Sequence, residues 1–303
     1  MNLFDKIMIG NDEATHLPQT RFKAFFRYGR EYFGRLVLFG VFTAAFLIPA
    51  IVWLFVMNYG SATAIAALDK SSAEYIGQVA QIRLGGALTT YSVLIPLITL
   101  FFVGLAGLFS AVKRISHGDI VKVSDYFKGI RENGLRFLLL GVVFSLSLFF
   151  VSYNTVYLST VEVTVGTAAL FAVTVLQFVF CSIFACWFMT NVTLYNVGLL
   201  KAIKNSLILT VSKLFKNLLM FAVVAAPVAL LLITPSPFNI LIMLIMAFLY
   251  FGFWALGVFS YANCVYDKTI NKALGESYVG RGLSKADETP DDVCDVKAAA
   301  YDS

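Results

Sequence analysis

Long uncharged apolar runs, separated by clusters of charge, dominate the pattern of polar and apolar positions along the chain. A helix needs about 20 apolar residues to cross the roughly 30 Å hydrocarbon core of a bilayer, and every run reaches that length. The pattern therefore predicts membrane-spanning helices. In chain order the runs are Leu36–Tyr59, Leu84–Val112, Phe137–Val161, Val163–Leu200 and Asn217–Tyr266.

The last of these runs is too long for a single span. Thr234-Pro235-Ser236-Pro237 lies in its middle, and proline there predicts a tight turn because it lacks a backbone N–H and fixes φ. The chain is thus predicted to be all-α: a polytopic membrane protein with six transmembrane helices. Pro49, Pro96 and Pro227 each fall within a predicted span and are expected to kink it.

Composition supports this prediction and excludes other classes of protein. Apolar residues make up 59% of the 303 residues, against roughly 45–50% in soluble domains. Charged residues make up 14%, against about 25%. With 29 Phe, the apolar surplus is too large for one soluble core to bury. A soluble enzyme, a secreted disulfide scaffold and a disordered protein are therefore excluded.

The distribution of Lys and Arg predicts the orientation in the membrane. Cytoplasmic loops carry an excess of these residues, and 21 of the 23 in the chain fall on one side of the predicted spans. Only Lys70 and Arg83 fall on the other side. Both termini are therefore predicted to be cytoplasmic.

Three segments follow from these assignments. Residues 1–35 form a basic, amphipathic cytoplasmic segment, residues 36–266 the six-helix transmembrane domain, and residues 267–303 a cytoplasmic tail. After about residue 284 the tail has six Asp or Glu against two Lys. This acidic composition, nearly free of aromatic residues, predicts disorder there.

An internal repeat links two of the basic segments. Phe26–Gly40 aligned with Phe127–Gly141 gives six identities in fifteen positions, and Lys216–Phe221 is a fainter third copy. Each copy precedes an outward helix that is followed by a returning one. The simplest interpretation is three repeated units, each a basic amphipathic helix followed by a transmembrane hairpin. Biased composition is the alternative explanation of the match.

The basic segments have an apolar stripe between their cations. Phe22, Phe25, Phe26, Phe33 and Leu36 recur at helical spacing in the first segment, so that aromatic rings can enter the membrane interface. One explanation is a docking surface for a cytoplasmic partner or anionic lipid, since each cation near an anionic leaflet contributes about 1 kcal/mol. The more ordinary one is an elbow that fixes helix tilt. The candidate contact residues are Arg27, Arg30, Arg35, Lys128, Arg131, Arg136, Lys201 and Lys204.

The predicted spans contain no Asp, Glu, Lys, Arg or His. Such residues mark proton relays and ion pathways, so their absence argues against an ion-coupled carrier, a pump or a voltage sensor. Neutral polar groups do occur inside the spans. They suit a path for a neutral, hydroxyl-rich ligand, but such groups more often tie helices together or bond the preceding turn. They are Thr89, Thr90, Tyr91, Ser92, Thr99, Ser145, Ser147, Ser152, Thr174, Gln177 and Ser182.

Small residues lie on one face of two predicted helices. Gly104, Gly107 and Ser110 do so in helix two, and Gly252 and Ala255 in helix six. This arrangement favours close helix contact, with self-association as a second possibility.

Catalytic motifs are missing from the sequence. His117-Gly118-Asp119 resembles an acid/base pair, but Asp119, or Ser124 with Asp125, is better placed to cap the following helix. The chain has no H-E-x-x-H, Walker A or G-x-S-x-G motif. We therefore expect no catalytic, cofactor-binding or metal-ligating residues, and no enzyme. The basic residues are explained by topology, so no nucleic-acid partner is expected either.

One stretch resembles a known family. The residues Gly107–Ser110, His117-Gly118-Asp119 and Asp125–Asn133, together with Lys201–Leu207, resemble the YesL-like bacterial integral membrane family, whose role is unassigned. The resemblance extends over roughly residues 20–265 and departs from the family in a longer outer loop, Tyr59–Arg83, and in the acidic tail. It implies a location in the plasma membrane of a bacterium and no catalytic residues. It also implies a transport-linked role, since members are often associated with carbohydrate-uptake genes.

These observations together predict a non-catalytic, multi-pass membrane protein that is an accessory component of solute uptake, with carbohydrate as the solute implied by the resemblance. The expected partners are membrane lipids and transporter subunits at the cytoplasmic face. The alternative is a facilitator or lipid-handling protein that uses the neutral polar groups of helices two to four. A membrane enzyme that uses His117 or Asp119 has the least support.

Overall fold

The computed structural model describes residues 17–195, 197–233, 242 and 245–284, and these residues are helical with short connections and no strand. A five-residue π-helix, Met246–Tyr250, leads into α9, and a 3-10 turn, Glu276–Tyr278, follows α10. The predicted turn Thr234–Pro237 and the acidic residues 285–303 lie outside the described residues. The α-helices are α1 Arg21–Glu31, α2 Phe33–Ala45, α3 Ile48–Ala66, α4 Tyr75–Ser116, α5 Val123–Leu158, α6 Val165–Tyr195, α7 Leu199–Ser212, α8 Leu214–Ile233, α9 Phe251–Lys268 and α10 Ile270–Leu274.

Five helical stretches of the described chain are long and apolar enough to cross a membrane: α3, α4, α5, α6 and Phe248–Lys268. The pair α7 and α8 adds a sixth if it is counted as one span, although its two helices meet at an angle of 94°. The protein is thus an all-helical, multi-pass membrane protein, and the predicted fold class is confirmed to that extent.

The outward side chains of α3 account for part of the apolar surplus. Five large apolar residues on this helix are more than half exposed, which soluble helices avoid and lipid-facing helices require. They are Ile48, Ile51, Val52, Phe55 and Val56.

The first predicted span, Leu36–Tyr59, is divided near Pro49 into the end of α2 and the start of α3. At the end of α2 the backbone N–H groups of Phe46 and Leu47 donate to carbonyls only three residues earlier, at 3.1 and 2.9 Å. Pro49 follows in the first turn of α3. Because proline has no N–H to continue the helical ladder, α2 ends and α3 begins there. The expected distortion at Pro49 is confirmed, while α4 and α8 continue through Pro96 and Pro227.

Helices extend through two segments that connect the predicted spans. The outer loop expected over Tyr59–Arg83 is mostly helical, because α3 extends to Ala66 and α4 begins at Tyr75. The second basic segment and the third span form the single 36-residue helix α5. Nothing between Gly129 and Phe137 breaks that helix, since no proline occurs there and the polar residues are compatible with an α-helix.

The described chain divides into two compact units. The first comprises the described parts of Met1–Val41, Gly107–Gly129 and Ile233–Ser303, and the second comprises Phe42–Ala106 and Ile130–Leu232. The central residues of each unit are aromatic.

In the first unit, Phe39 of α2 stacks on Tyr126 of α5 with ring centroids 5.8 Å apart. Gly107 of α4 leaves room for Tyr126, because a Cβ at this position would lie 2.9 Å from the ring. Phe109 of α4 contacts Trp254 and Phe259 of α9, with centroids 5.5 and 5.3 Å apart.

In the second unit, Phe144 of α5 lies between Phe102 of α4 and Phe178 of α6, at centroid distances of 5.2 and 5.6 Å. The indole N–H of Trp53 donates to the backbone carbonyl of Thr90 at 3.1 Å and joins α3 to α4. Ring packing and this hydrogen bond together hold four helices of the unit in register.

The predicted close contacts of small residues are confirmed as contacts within the chain. In the first unit, Gly252 of α9 packs against the backbone carbonyl of Leu36, and Gly40 packs in turn against the backbone of Gly252. In the second unit, a Cβ on Gly104 would lie 2.7 Å from the ring of Phe46. Glycine at these positions allows helices to approach to backbone contact.

Candidate functional site

The eight predicted contact cations divide between the two units, four in each. Those of the first unit are Arg27, Arg30, Arg35 and Lys128, and those of the second are Arg131, Arg136, Lys201 and Lys204. Arg27, Arg35 and Arg136 are half-buried, whereas the other five are exposed.

The helix α1 has one buried face and one exposed aromatic face. Tyr28 and Ala24 are buried, while Phe22 and Phe26 are 74% and 59% exposed, with their rings in edge contact at 5.0 Å. The side chain of Thr20 caps the helix by accepting a hydrogen bond from the backbone N–H of Lys23 at 3.2 Å. Phe22 and Phe26, which belong to the predicted apolar stripe, thus form an exposed aromatic face of the kind expected on an interfacial helix.

The ends of the described chain meet at an acidic side chain that the sequence analysis did not single out. Asp267, at the end of α9, accepts hydrogen bonds from Arg21 Nε and Nη2 at 3.0 and 2.8 Å. Its other oxygen accepts from Asn271 Nδ2 at 2.7 Å and from the backbone N–H of Gly280 at 3.1 Å. Arg21 also donates to the carbonyl of Arg281 at 2.6 Å. We call this meeting of α1, the α4–α5 loop and residues 267–284 the terminal junction.

A buried tyrosine extends the terminal junction. The hydroxyl of Tyr28 donates to the carbonyl of Gly282 at 2.8 Å. Burial raises the pKa of Tyr28 to about 12, so the hydroxyl stays protonated and remains a donor. Gly118 and Gly282 both have positive φ and lie against Tyr28 and the Ser116 carbonyl respectively. Glycine is needed at both positions because L side chains rarely adopt this backbone conformation.

His117 lies beside the same groups. Burial, together with the positive charges of Lys113, Arg281 and Arg21, lowers the pKa of His117 to about 4 against the opposing charge of Asp267. The imidazole is therefore neutral near pH 7. The carboxylate whose charge opposes the lowering of this pKa is that of Asp267, and not that of Asp119, which lies two residues along the chain.

Of the residues predicted to cap α5, Asp125 does accept a backbone N–H bond, but from the first turn of the helix and not from the N-cap position. Asp125, the third residue of α5, accepts a hydrogen bond from the backbone N–H of Lys122 at 2.8 Å and from Arg114 Nη1 at 3.3 Å. It reaches back to the helix start, as the acidic member of a capping box does. Asp119 contributes through its backbone, since its carbonyl accepts from the Tyr32 hydroxyl at 3.2 Å.

In the second unit, a buried asparagine forms the elbow between α7 and α8. The side chain of Asn217 donates to the carbonyls of Leu209 and Thr210 at 3.0 and 2.9 Å and accepts from Trp187 Nε1 at 3.2 Å. Those two carbonyls are among the last four of α7, which have no partner within their own helix. Asn217 therefore supplies the capping bonds that let the chain turn by 94° at Lys213.

The helix α7 packs its small and polar face inward and leaves its apolar stripe outward. Ala202 and Ser206 are buried, and Asn191 Nδ2 of α6 donates to the Ser206 hydroxyl at 3.0 Å. Leu200 and Val211 are 81% and 63% exposed. This helix exposes apolar side chains beside Lys201 and Lys204 and meets the next apolar helix at 94°. It therefore has the amphipathic character of an interfacial helix.

Hydroxyl groups inside the spans mostly bond within the helices. Thr99 and Ser145 lie 3.3 Å apart and link α4 to α5. The hydroxyls of Ser145, Thr90 and Ser182 donate to carbonyls four residues earlier at 2.6, 2.6 and 2.8 Å. For these four residues, the predicted role as helix ties and back-bonded groups is confirmed.

The sequence contained a signal for each grouping that was missed. Asp267 directly follows the last uncharged run, on the side where cations predominate, so an ion pair was to be expected. Asn191 lies inside an apolar run and Asn217 begins one, and amides buried among apolar residues need hydrogen-bond partners. In the described part of the chain, no three or more His, Cys, Asp or Glu side chains are grouped so as to hold a metal ion.

No family model, curated protein or solved structure matches the chain. The resemblance to the YesL-like family stays a prediction based on the stretches quoted for it.

Proposed function

We propose that this chain is a non-catalytic accessory component of solute uptake that contacts its partner through exposed cations on the cytoplasmic side of a bacterial plasma membrane. Carbohydrate is the solute that the YesL-like resemblance implies. The proposed arrangement has six spans, both termini in the cytoplasm, and three units that each combine a basic helix with a transmembrane hairpin.

The observation that carries the proposal is the exposure of the predicted cations. Arg30 on α1, Arg131 on α5, and Lys201 and Lys204 on α7 are all exposed, and each belongs to a basic helical segment that precedes an apolar one. Exposed cations within each unit offer an anionic protein surface complementary charge. The hydroxyls of Thr90, Thr99, Ser145 and Ser182 are engaged in bonds between and within helices. Their engagement favours action by contact over passage of solute.

The experiment is a mild-detergent pull-down of the full chain from membranes of the bacterium that encodes it, with mass spectrometry of bound proteins. The test variant changes Arg30, Arg131, Lys201 and Lys204 to Gln, which removes four exposed cations without touching the terminal junction. We expect transporter subunits to copurify with the unchanged chain and to fall at least about tenfold with the test variant, since each charge near an anionic surface contributes about 1 kcal/mol.

The matched control changes the two exposed cations on the opposite side, Lys70 and Arg83, to Gln. This control is expected to retain the partner. Recovery of the chain alone or with lipid only, or equal loss in both variants, contradicts the accessory role. Solute flux through liposomes that contain the chain alone contradicts it as well and supports a facilitator.

A further inference from the structure

A partly open cleft of about 230 Å³ lies in the first unit, between α2 and the start of α5. Two cations and four apolar residues line it: Arg35, Leu38, Phe39, Val121, Lys122 and Val123. The cleft thus combines two cationic residues with an apolar wall.

The walls of the cleft are held in place by the core of the unit. Phe39 is fully buried and stacks on Tyr126, and Val121 is fully buried as well. The backbone of Lys122 is fixed by its hydrogen bond to Asp125. The cleft is therefore formed before any ligand arrives, which limits the entropy that binding would cost.

Arg35 lies at the start of an apolar segment and Leu38 of the apolar wall lies further along it, which matches a lipid whose charged headgroup is followed by its acyl chains. Arg35 is the last charged residue before an uncharged run that continues to Leu68, so it marks the edge of the apolar layer. Leu38 follows three residues later on α2, about 4.5 Å further along the helix axis. Lys122 is exposed and immediately precedes α5. A phosphate held by the two cations thus places attached acyl carbons against Leu38 and Val123.

We propose that this cleft binds the headgroup phosphate of one anionic phospholipid, with Arg35 and Lys122 at the phosphate. The apolar wall receives the first acyl carbons, and the rest of the lipid remains outside because the cleft is too small for it. The site does not depend on the accessory role: it requires only that α2 lies at a membrane surface. Inorganic phosphate shares the charged group but offers nothing to the apolar wall.

The test measures lipid binding to the purified full chain in a neutral detergent by native mass spectrometry. Phosphatidylglycerol, phosphatidylcholine and inorganic phosphate are titrated separately. The variant Arg35→Gln with Lys122→Gln removes the cationic edge. The matched control, Lys201→Gln with Lys204→Gln, removes the same charge from α7. A third variant, Leu38→Trp, fills the apolar wall and keeps both cations, and Lys122→Gln alone serves if the double change impairs folding.

We expect one tightly bound phosphatidylglycerol in preference to phosphatidylcholine, and an affinity about 30-fold lower when both cations are removed. The control is expected to retain its affinity, and Leu38→Trp to lose phosphatidylglycerol. Equal losses in the two double variants would show attraction to basic surfaces in general and overturn the site. Binding of inorganic phosphate as strong as that of the lipid, unchanged in Leu38→Trp, would overturn the lipid as ligand.

Discussion

Arg21 and Asp267 are 246 residues apart in the sequence, yet their side chains form an ion pair with Nη2 and Oδ2 separated by 2.8 Å. Both side chains are largely buried, at 10% and 14% exposure. The pair joins the first described helix to the end of the last apolar helix. It therefore closes the first unit at the point where three separate parts of the chain meet.

Breaking this pair is expected to destabilise the protein. Asp267→Asn removes the charge and leaves the Arg21 guanidinium without its counterion, and breaking a buried pair costs about 3 kcal/mol or more. We expect the thermal unfolding temperature in detergent to fall by several degrees, measured by the loss of monodisperse protein on size exclusion. The control is Glu31→Gln, which breaks the more exposed Arg27–Glu31 pair on one helix and should change stability by less than about 0.5 kcal/mol. Equal effects of the two changes would contradict the special role of Asp267.

His117 gives the terminal junction a pH dependence. The pKa of His117 is lowered to about 4 in the folded protein from an ordinary value of 6.5, so only the unfolded chain binds this proton between those values. Stability is therefore fully present above about pH 6.5 and falls as the pH drops toward 4, by up to about 1.4 kcal/mol per pH unit. The measurement is the unfolding temperature in detergent from pH 7.5 to 4.5.

The variant His117→Gln should flatten that profile, because its side chain does not titrate. His16→Gln is the matched control, since His16 is the second of the two histidines in the chain and lies outside the described residues. A profile that flattens with His16→Gln and stays steep with His117→Gln would contradict this prediction, because it would assign the pH dependence to His16.

Asn217 is expected to be essential to the elbow between α7 and α8. Asn217→Leu has similar volume but leaves two carbonyls of α7 and the Trp187 N–H without this partner, and each unsatisfied buried group costs about 1–3 kcal/mol. We expect a large loss of thermal stability, together with altered Trp fluorescence. Asn205→Leu, at a half-buried position of α7, is the control and should be nearly neutral. A stable Asn217→Leu protein with unchanged Trp fluorescence would show that the elbow forms without the amide.

The apolar spans were predictable because they are encoded locally, in long uncharged runs that any bilayer-crossing helix must contain. The ends of helices that extend beyond the apolar runs, such as the end of α3 at Ala66, were not predictable in this way. The basic helix and the span that follows it form the single helix α5, because no proline interrupts them. The terminal junction was predictable only in part: Asp267 lies on the side where cations predominate, which indicates an ion pair, but nothing in the sequence identifies Arg21, 246 residues away, as its partner. Gly252 was recognised as a contact residue, but its partner, the carbonyl of Leu36, is visible only in the fold.

Two glycines of α9 provide a direct test of that close contact. Gly252→Ala places a methyl group against the carbonyl of Leu36, so α2 and α9 must separate. Gly257→Ala meets only the ring of Phe25 at an ordinary 3.7 Å and gains up to about 1 kcal/mol of helix propensity. We expect Gly252→Ala to lower the unfolding temperature by several degrees and Gly257→Ala to leave it unchanged or higher. The opposite order would contradict the packing of α2 on α9.

The orientation is tested by labelling single cysteines in a background where Cys181, Cys186, Cys264 and Cys294 are replaced by Ala. The excess of cations on one side predicts that Lys204→Cys faces the cytoplasm and Lys70→Cys the outside. A membrane-impermeant maleimide should therefore label Lys70→Cys in intact spheroplasts, and Lys204→Cys only after permeabilisation. Both native side chains are exposed, so a failure to react reflects the membrane barrier and not burial in the protein. The reverse pattern would place the exposed cations and the Arg35–Lys122 cleft outside the cell, where no cytoplasmic partner reaches them.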